Sequence, residues 1–226
     1  MSPTAPETAS AQQADPFDLP ADRRRFFFDT RLNATMVWVF QGDFYTSANP
    51  NEIVTTVLGS CIAVCVRDPD IRFGGMNHFL LPEPGKGKDI GASRELRYGS
   101  YSIERLINAI MAHGGRRDRL EFKIFGGASL KIGSSAEVGG RNADFVENYL
   151  DREGFKIAAR DLRGTLPRRL RYYPTTGKVM VSQALDSSSA RIFEQEAGLM
   201  ARPVAAMQSS RSEIFAPKPR RPRPEP

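Results

Sequence analysis

The stretch Ile53-Val54-Thr55-Thr56-Val57-Leu58-Gly59-Ser60-Cys61-Ile62-Ala63-Val64-Cys65-Val66 decides how this chain folds. It holds two apolar, β-branched runs separated by a Gly-Ser step, the pattern of two strands and a tight turn. A second block, Gly74-Gly75-Met76-Asn77-His78, leads into another apolar run at 79–81. One of only two cysteines, Cys61, thus follows a turn, and one of only two histidines, His78, follows a glycine pair. If these segments are adjacent strands, a thiol and an imidazole can meet, which is the minimum equipment for nucleophilic acyl chemistry.

Working outward, apolar or β-branched runs bounded by turn residues predict strands at 36–40, 53–58, 62–66, 79–81, 120–125, 155–159, 170–173 and 179–181. The last two flank Pro174-Thr175-Thr176-Gly177, a hairpin signal. Two helices stand among them. One is read as capped by Ser102, carries Ile103, Leu106, Ile107, Ile110 and Met111 at helical spacing, and stops at Gly114-Gly115. The other is read as starting on Asn142, burying Phe145, Val146, Tyr149 and Leu150, and ending at Gly154. The Gly- and Lys-rich segment 83–94 reads as a long loop, placed to act as a flap over a site near His78. Many strands with two helices predict an α/β (α+β) domain, a layered sandwich of mixed β-sheet with few helices.

The chain has 226 residues, 40% hydrophobic and 26% charged, ordinary for one soluble domain with tails. Residues 1–25 are expected as a disordered extension, 26–185 as the globular domain, and 186–226 as a C-terminal helix and tail, basic, Pro-rich and mostly disordered. From Ala201 to Pro226, Arg202, Arg211, Lys218, Arg220, Arg221 and Arg223 stand against Glu213 and Glu225, so +4 of the net +6 lies in that last stretch. The folded part is close to neutral, which argues against specific nucleic-acid binding. The start has neither the basic nor the apolar region of a signal peptide, and no apolar run reaches the roughly 18 residues of a membrane span. Two closely spaced thiols fit a reducing cytoplasm rather than a disulfide framework.

A cysteine of ordinary pKa is only a few per cent thiolate at neutral pH, so a base must assist it. His78 suits that role. The small residues Gly59 and Ser60 let the chain turn so that the Cys61 N–H can face a developing oxyanion. A third group should orient the imidazole, and the nearest hydroxyls are those of Thr55 and Thr56. On residue chemistry alone the plainer reading stays open, because cysteine is often just a small core residue. Cys65, inside an apolar run with no turn before it, fits that role better, and His113 at a helix end fits a capping role. A Cys61/Cys65/His78 metal site is disfavoured, since thiols four residues apart on a strand lie about 13 Å from each other. Gly126-Gly127-Ala128 lacks the partners of a phosphate loop and reads as close backbone packing.

The run 55–69, with Gly74-Gly75-Met76-Asn77-His78-Phe79-Leu80-Leu81-Pro82, resembles the CheD family of chemoreceptor glutamine deamidases. Arg97-Tyr98-Gly99, 123–128, Gly140-Arg141-Asn142 and Thr176-Gly177-Lys178-Val179 extend the likeness over about 42–185. The resemblance implies a cysteine-deamidase-like layered fold and a catalytic set of Cys61, His78 and Thr55. It places the turn at Gly59 and Ser60, with Asn77, Gly126 and Gly127 as groove candidates. It implies glutamines of methyl-accepting chemotaxis receptors as substrate, a CheC-type phosphatase as partner in some relatives, and no metal or organic cofactor. Alternatives are a non-catalytic protein that binds receptor tails or the phosphatase, and a methylesterase acting on receptor glutamyl esters. Arg163 and Pro167 stand where relatives tend to carry glycine.

Overall fold

The computed structural model describes residues 25–81, 90–129 and 135–184. Ten strands form two five-stranded sheets. The outer sheet has the order β1 (Phe26–Asp29), β2 (Ala34–Trp38), β4 (Glu52–Leu58), β9 (Arg168–Tyr172), β10 (Val179–Gln183). The inner sheet has the order β3 (Phe44–Ser47), β6 (Phe73–Asn77), β5 (Ile62–Asp68), β7 (Glu121–Gly126), β8 (Ile157–Leu162). Both are mixed: β2 pairs with β4 and β7 with β8 in parallel, and the remaining pairs are antiparallel. Helices α1 (Ile90–Ala112) and α2 (Ser135–Arg152) cover the free face of the inner sheet.

Strand alternation assigns each side chain to a layer. On β5, Ile62, Val64 and Val66 join Ile103, Leu106, Ile107 and Ile110 of α1 and Val146 and Leu150 of α2 in one apolar core. The intervening Cys61, Ala63 and Cys65 face the other way, into a core with Val54 and Leu58 of β4 and Leu170 and Tyr172 of β9. The chain is thus a helix–sheet–sheet sandwich, as its pattern predicted. The two helices stop as their glycines foretold. Gly114 (φ +97°) and Gly154 (φ +71°) adopt positive φ, and the N–H of the next residue returns to Ile110 O and Leu150 O.

Several boundaries differ from the sequence reading. The Gly74-Gly75 block is itself the strand β6, because a Cβ at either glycine would strike backbone: Val66 O at 2.6 Å for Gly74, Tyr45 O for Gly75. Segment 79–81 makes only one bridge, Phe79 with Ile62. Strands β1 and β3 were not anticipated; both are four-residue edge strands with little burial to impose alternation. Both helices begin earlier than expected. Ser102 lies inside α1, which already starts at Ile90, so 90–94 are helical rather than loop. Residues 83–89 of the expected flap, and 1–24 and 186–226 of the expected tails, lie outside the described residues. Asn142 lies in the middle of α2, whose Gly139 permits close packing where any Cβ would collide with Ala128 O.

Candidate active site

The turn between β4 and β5 carries Cys61, and three separate donors hold its carbonyls. Ala128 N–H donates to Gly59 O at 2.8 Å, the Asn142 side-chain amide to Ser60 O at 2.8 Å, and Gly127 N–H to Cys61 O at 2.8 Å. In a trans peptide the N–H points opposite to the C=O, so fixing these carbonyls also fixes the N–H directions of Ser60 and Cys61. Asn142 is fully buried, and its Oδ1 accepts from Leu81 N–H at 3.2 Å. A residue expected as a helix cap thus ties the Cys61 turn to the segment after His78. The signal available in sequence was its place in the Gly140-Arg141-Asn142 block, which no helix boundary required.

The β5–β6 ladder pairs Cys65 with Met76 and continues to the Ile62–Phe79 bridge, so Ala63 lies opposite His78. Cys61 is two residues along the same face, a diagonal neighbour of His78 at the strand ends, with Cα atoms about 7–8 Å apart. Both side chains enter the layer between the sheets: Cys61 packs in the inter-sheet core, and His78 reaches β4. The segments are adjacent strands, as the chemistry required.

His78 Nδ1 lies 2.9 Å from Thr56 Oγ1 and 3.3 Å from Val39 O. The Thr56 hydroxyl donates to Val39 O at 2.8 Å. A carbonyl can only accept, so with the hydroxyl proton on Val39 O the Thr56 oxygen accepts from Nδ1–H. That assignment makes Nδ1 the protonated nitrogen and Nε2 the basic one. Thr55, the expected partner, does not occupy this place. Its hydroxyl donates to Leu170 O at 2.7 Å within the outer sheet. The reason is strand parity: Val54, Thr56 and Leu58 share the inter-sheet face, and Thr55 faces the opposite way with Ile53 and Val57.

The other expected site residues act as supports. Asn77 is fully buried; its Oδ1 accepts from Val64 N–H at 2.9 Å and its amide donates to Ser102 O and Oγ at 3.2 Å, toward α1 rather than the sulfur. It fastens β5 and β6 to α1 and lines no groove at Cys61. Gly126 (φ +114°) and Gly127 (φ +68°) lie against the Cys61 turn. A Cβ on Gly126 would collide with the Cys61 carbonyl oxygen. Gly126→Ala is therefore expected to cost at least about 2 kcal/mol, from disfavoured φ plus that collision, read as a lower urea midpoint at unchanged m-value. Cys65 is buried opposite Met76, and burial pushes its thiol well above the ordinary range, which keeps it protonated and inert.

One further feature escaped the sequence reading, and a second bears on Arg163, which that reading singled out. Gln41, half-buried, accepts a hydrogen bond from Cys61 Sγ at 3.7 Å through its Oε1. Arg163 has φ +66°, a conformation glycine adopts without cost, and its N–H donates to Gly126 O at 2.8 Å. Its guanidinium pairs with Asp144 at 2.6 Å and Glu147 at 2.8 Å, which anchors the 163–167 loop to α2 beside the nucleophile turn. His113 stacks on Phe73 with ring centroids 3.8 Å apart. Among the described residues no helix is long and apolar enough to cross a membrane.

Residues 80–183 match the protein family described as CheD chemotactic sensory transduction. The chain is 50% identical over 176 residues to a protein of Rhodopseudomonas palustris (strain BisA53) named probable chemoreceptor glutamine deamidase CheD, covering 78% of this chain and 82% of that one. It is 42% identical over 203 residues to a Burkholderia vietnamiensis (strain G4 / LMG 22486) protein of the same name, covering 88% and 82%. A Burkholderia thailandensis protein named probable chemoreceptor glutamine deamidase CheD 1 is 42% identical over 193 residues, covering 85% and 81%.

Proposed function

The chain belongs to the CheD family, and from that membership we propose that it is a protein-glutamine deamidase, hydrolysing side-chain amides of chemoreceptor glutamines to glutamate with release of ammonia. What supports the proposal at particular atoms is the Ile62–Phe79 bridge, which sets Cys61 and His78 at the ends of adjacent strands, and the 2.9 Å contact of His78 Nδ1 with Thr56 Oγ1.

The reaction follows from that arrangement. Nε2 of His78 takes the proton of Cys61 Sγ as sulfur bonds to the glutamine Cδ, and the carbonyl π electrons move to oxygen. The N–H groups of the Ser60–Cys61 turn, directed by the clamped carbonyls, stabilise that oxyanion. When the tetrahedral adduct collapses, the C–N bond breaks and the imidazolium protonates the departing ammonia. A thioester remains. Water, deprotonated by Nε2, adds to it; the C–S bond breaks and sulfur recovers its proton. Each neutral amide becomes a carboxylate on the receptor. The 1–25 and 186–226 extensions are proposed to lie outside the catalytic domain, which acts in the cytoplasm, where the receptor's signalling helices are accessible.

The direct test incubates the purified protein with a receptor cytoplasmic fragment and maps peptides by mass spectrometry. Glutamine-to-glutamate conversion at defined positions, with ammonia released in equal amount, is the expected result. Tight binding without conversion would leave a non-catalytic receptor-binding protein. Methanol release from methylated receptor with no ammonia from glutamine would make the protein an esterase.

A further inference from the structure

Gln41 has no part in the set that sequence reasoning assembled, yet its side chain touches the nucleophile. Residues 40–43 form a tight turn, with Asp43 N–H donating to Phe40 O at 3.0 Å and Gly42 at φ +83° in its third position, the arrangement of a type II turn. Two hydrogen bonds lock this turn to the peptide of the histidine: Gly42 N–H to His78 O at 2.6 Å, and His78 N–H to Asp43 O at 3.0 Å. The second position of the turn, Gln41, is thereby held at the end of β6 beside Cys61, and its Oε1 accepts from Sγ at 3.7 Å.

A carboxamide serves both protonation states of sulfur. Its oxygen accepts from the thiol, and its NH2 group donates to a thiolate. The terminal torsion of glutamine is broad and roughly two-fold, so turning the amide over exchanges one for the other at little cost. An acceptor oxygen facing a thiolate is repulsive, so loss of the thiol proton itself drives the turn. The N–H then points at the position where negative charge sits first on sulfur and next on the carbonyl oxygen of the tetrahedral adduct. Backbone donors at Ser60 and Cys61 approach from the turn on β5, whereas Gln41 approaches from the turn bonded to His78.

We propose that Gln41 is a further catalytic residue of this site, a side-chain donor that stabilises the Cys61 thiolate and the oxyanion formed on it. This rests on the deamidase reading for the oxyanion, but the thiolate half can be measured without any receptor. The experiment is the pH dependence of Cys61 alkylation by iodoacetamide, quantified on the Cys61 peptide, in the wild type, Gln41→Leu and Gln41→Glu. Leucine removes the donor at similar volume, and glutamate replaces it with an acceptor bearing negative charge. The apparent thiol pKa should rise in both, by about one unit or more in Gln41→Glu. On receptor fragment, Gln41→Leu should lower kcat about tenfold with little change in KM, as expected for a donor used chiefly in the transition state. Alkylation profiles that coincide with the wild type would overturn the assignment. So would faster alkylation and turnover in Gln41→Leu, which would make Gln41 a plug that substrate must displace. If the profiles shift as expected while the wild type converts no receptor glutamine, the substrate reading fails and the thiolate role stands.

Discussion

Cys61→Ala should abolish glutamine conversion on receptor fragments, a fall of at least about 10⁴-fold, while Cys65→Ala keeps activity within about threefold. Both cysteines are buried and both face the inter-sheet layer, so loss of a small core group is common to the two variants. What differs is chemistry. Cys61 precedes β5 at the Ile62–Phe79 bridge, next to the strand end that carries His78, whereas the Cys65 thiol is held protonated by burial. His78→Asn should be as inactive as Cys61→Ala. The asparagine amide places an N–H near the Nδ1 position, preserving the contact to Thr56, but supplies nothing at Nε2. Equal thermal midpoints for the wild type, Cys61→Ala and His78→Asn, with deamidation lost only in the variants, separate catalysis from folding. Residual conversion by Cys61→Ala above the His78→Asn level would move the nucleophile elsewhere.

The layered fold was legible because most of its strands are core strands. Runs such as Ile62-Ala63-Val64-Cys65-Val66 are buried on both faces and read as continuous apolar sequence. The edge strands β1 and β3 were not legible, since pairing on one side places little demand on composition. Helix starts were misread for a different reason. Gly99 and Gly139 look like breakers, yet each sits inside a helix where a neighbouring group leaves no room for a Cβ: the Phe145 ring at Gly99, the Ala128 carbonyl at Gly139. Close packing overrode local propensity. Ser102 and Asn142, read as caps, make their contacts to Asn77 and to the Cys61 turn.

The site was legible in part. A thiol after a Gly-Ser turn and a histidine on the next strand need only one pairing to meet, and β5 and β6 supply it. Gln41 could not be found that way. It is brought in by a turn whose link to His78 is entirely backbone, and backbone hydrogen bonds leave little mark on sequence.

The choice between the two threonines is where sequence and structure diverge, and it yields the second large effect. Thr56→Val is expected to lower kcat about 100-fold with KM nearly unchanged, because valine fills the same volume but offers His78 Nδ1 no acceptor. Nδ1 then keeps only its longer 3.3 Å contact to Val39 O, which holds the ring less firmly in the tautomer that leaves Nε2 basic, and the pH–rate profile should shift as well as drop. Thr56→Ser, which restores a hydroxyl between Nδ1 and Val39 O, should recover activity to within a few-fold. Thr55→Val removes a hydrogen bond to Leu170 O inside the outer sheet, on the face of β4 turned away from Thr56 and the imidazole. It should cost about 1 kcal/mol of stability and leave kcat within about threefold. A structural role for Thr56 alone would lower the thermal midpoint in Thr56→Val without moving the pH profile. The opposite ranking of the two valine variants would mean that β4 presents the other face to His78 during turnover. A one-residue slip of that strand would have to reverse every side chain of β4 between the layers, exposing Val54 and Leu58, which are now fully buried, to the outer face. The parity that packs the sandwich is therefore the same parity that selects Thr56, and a kinetic comparison of two adjacent threonines tests both.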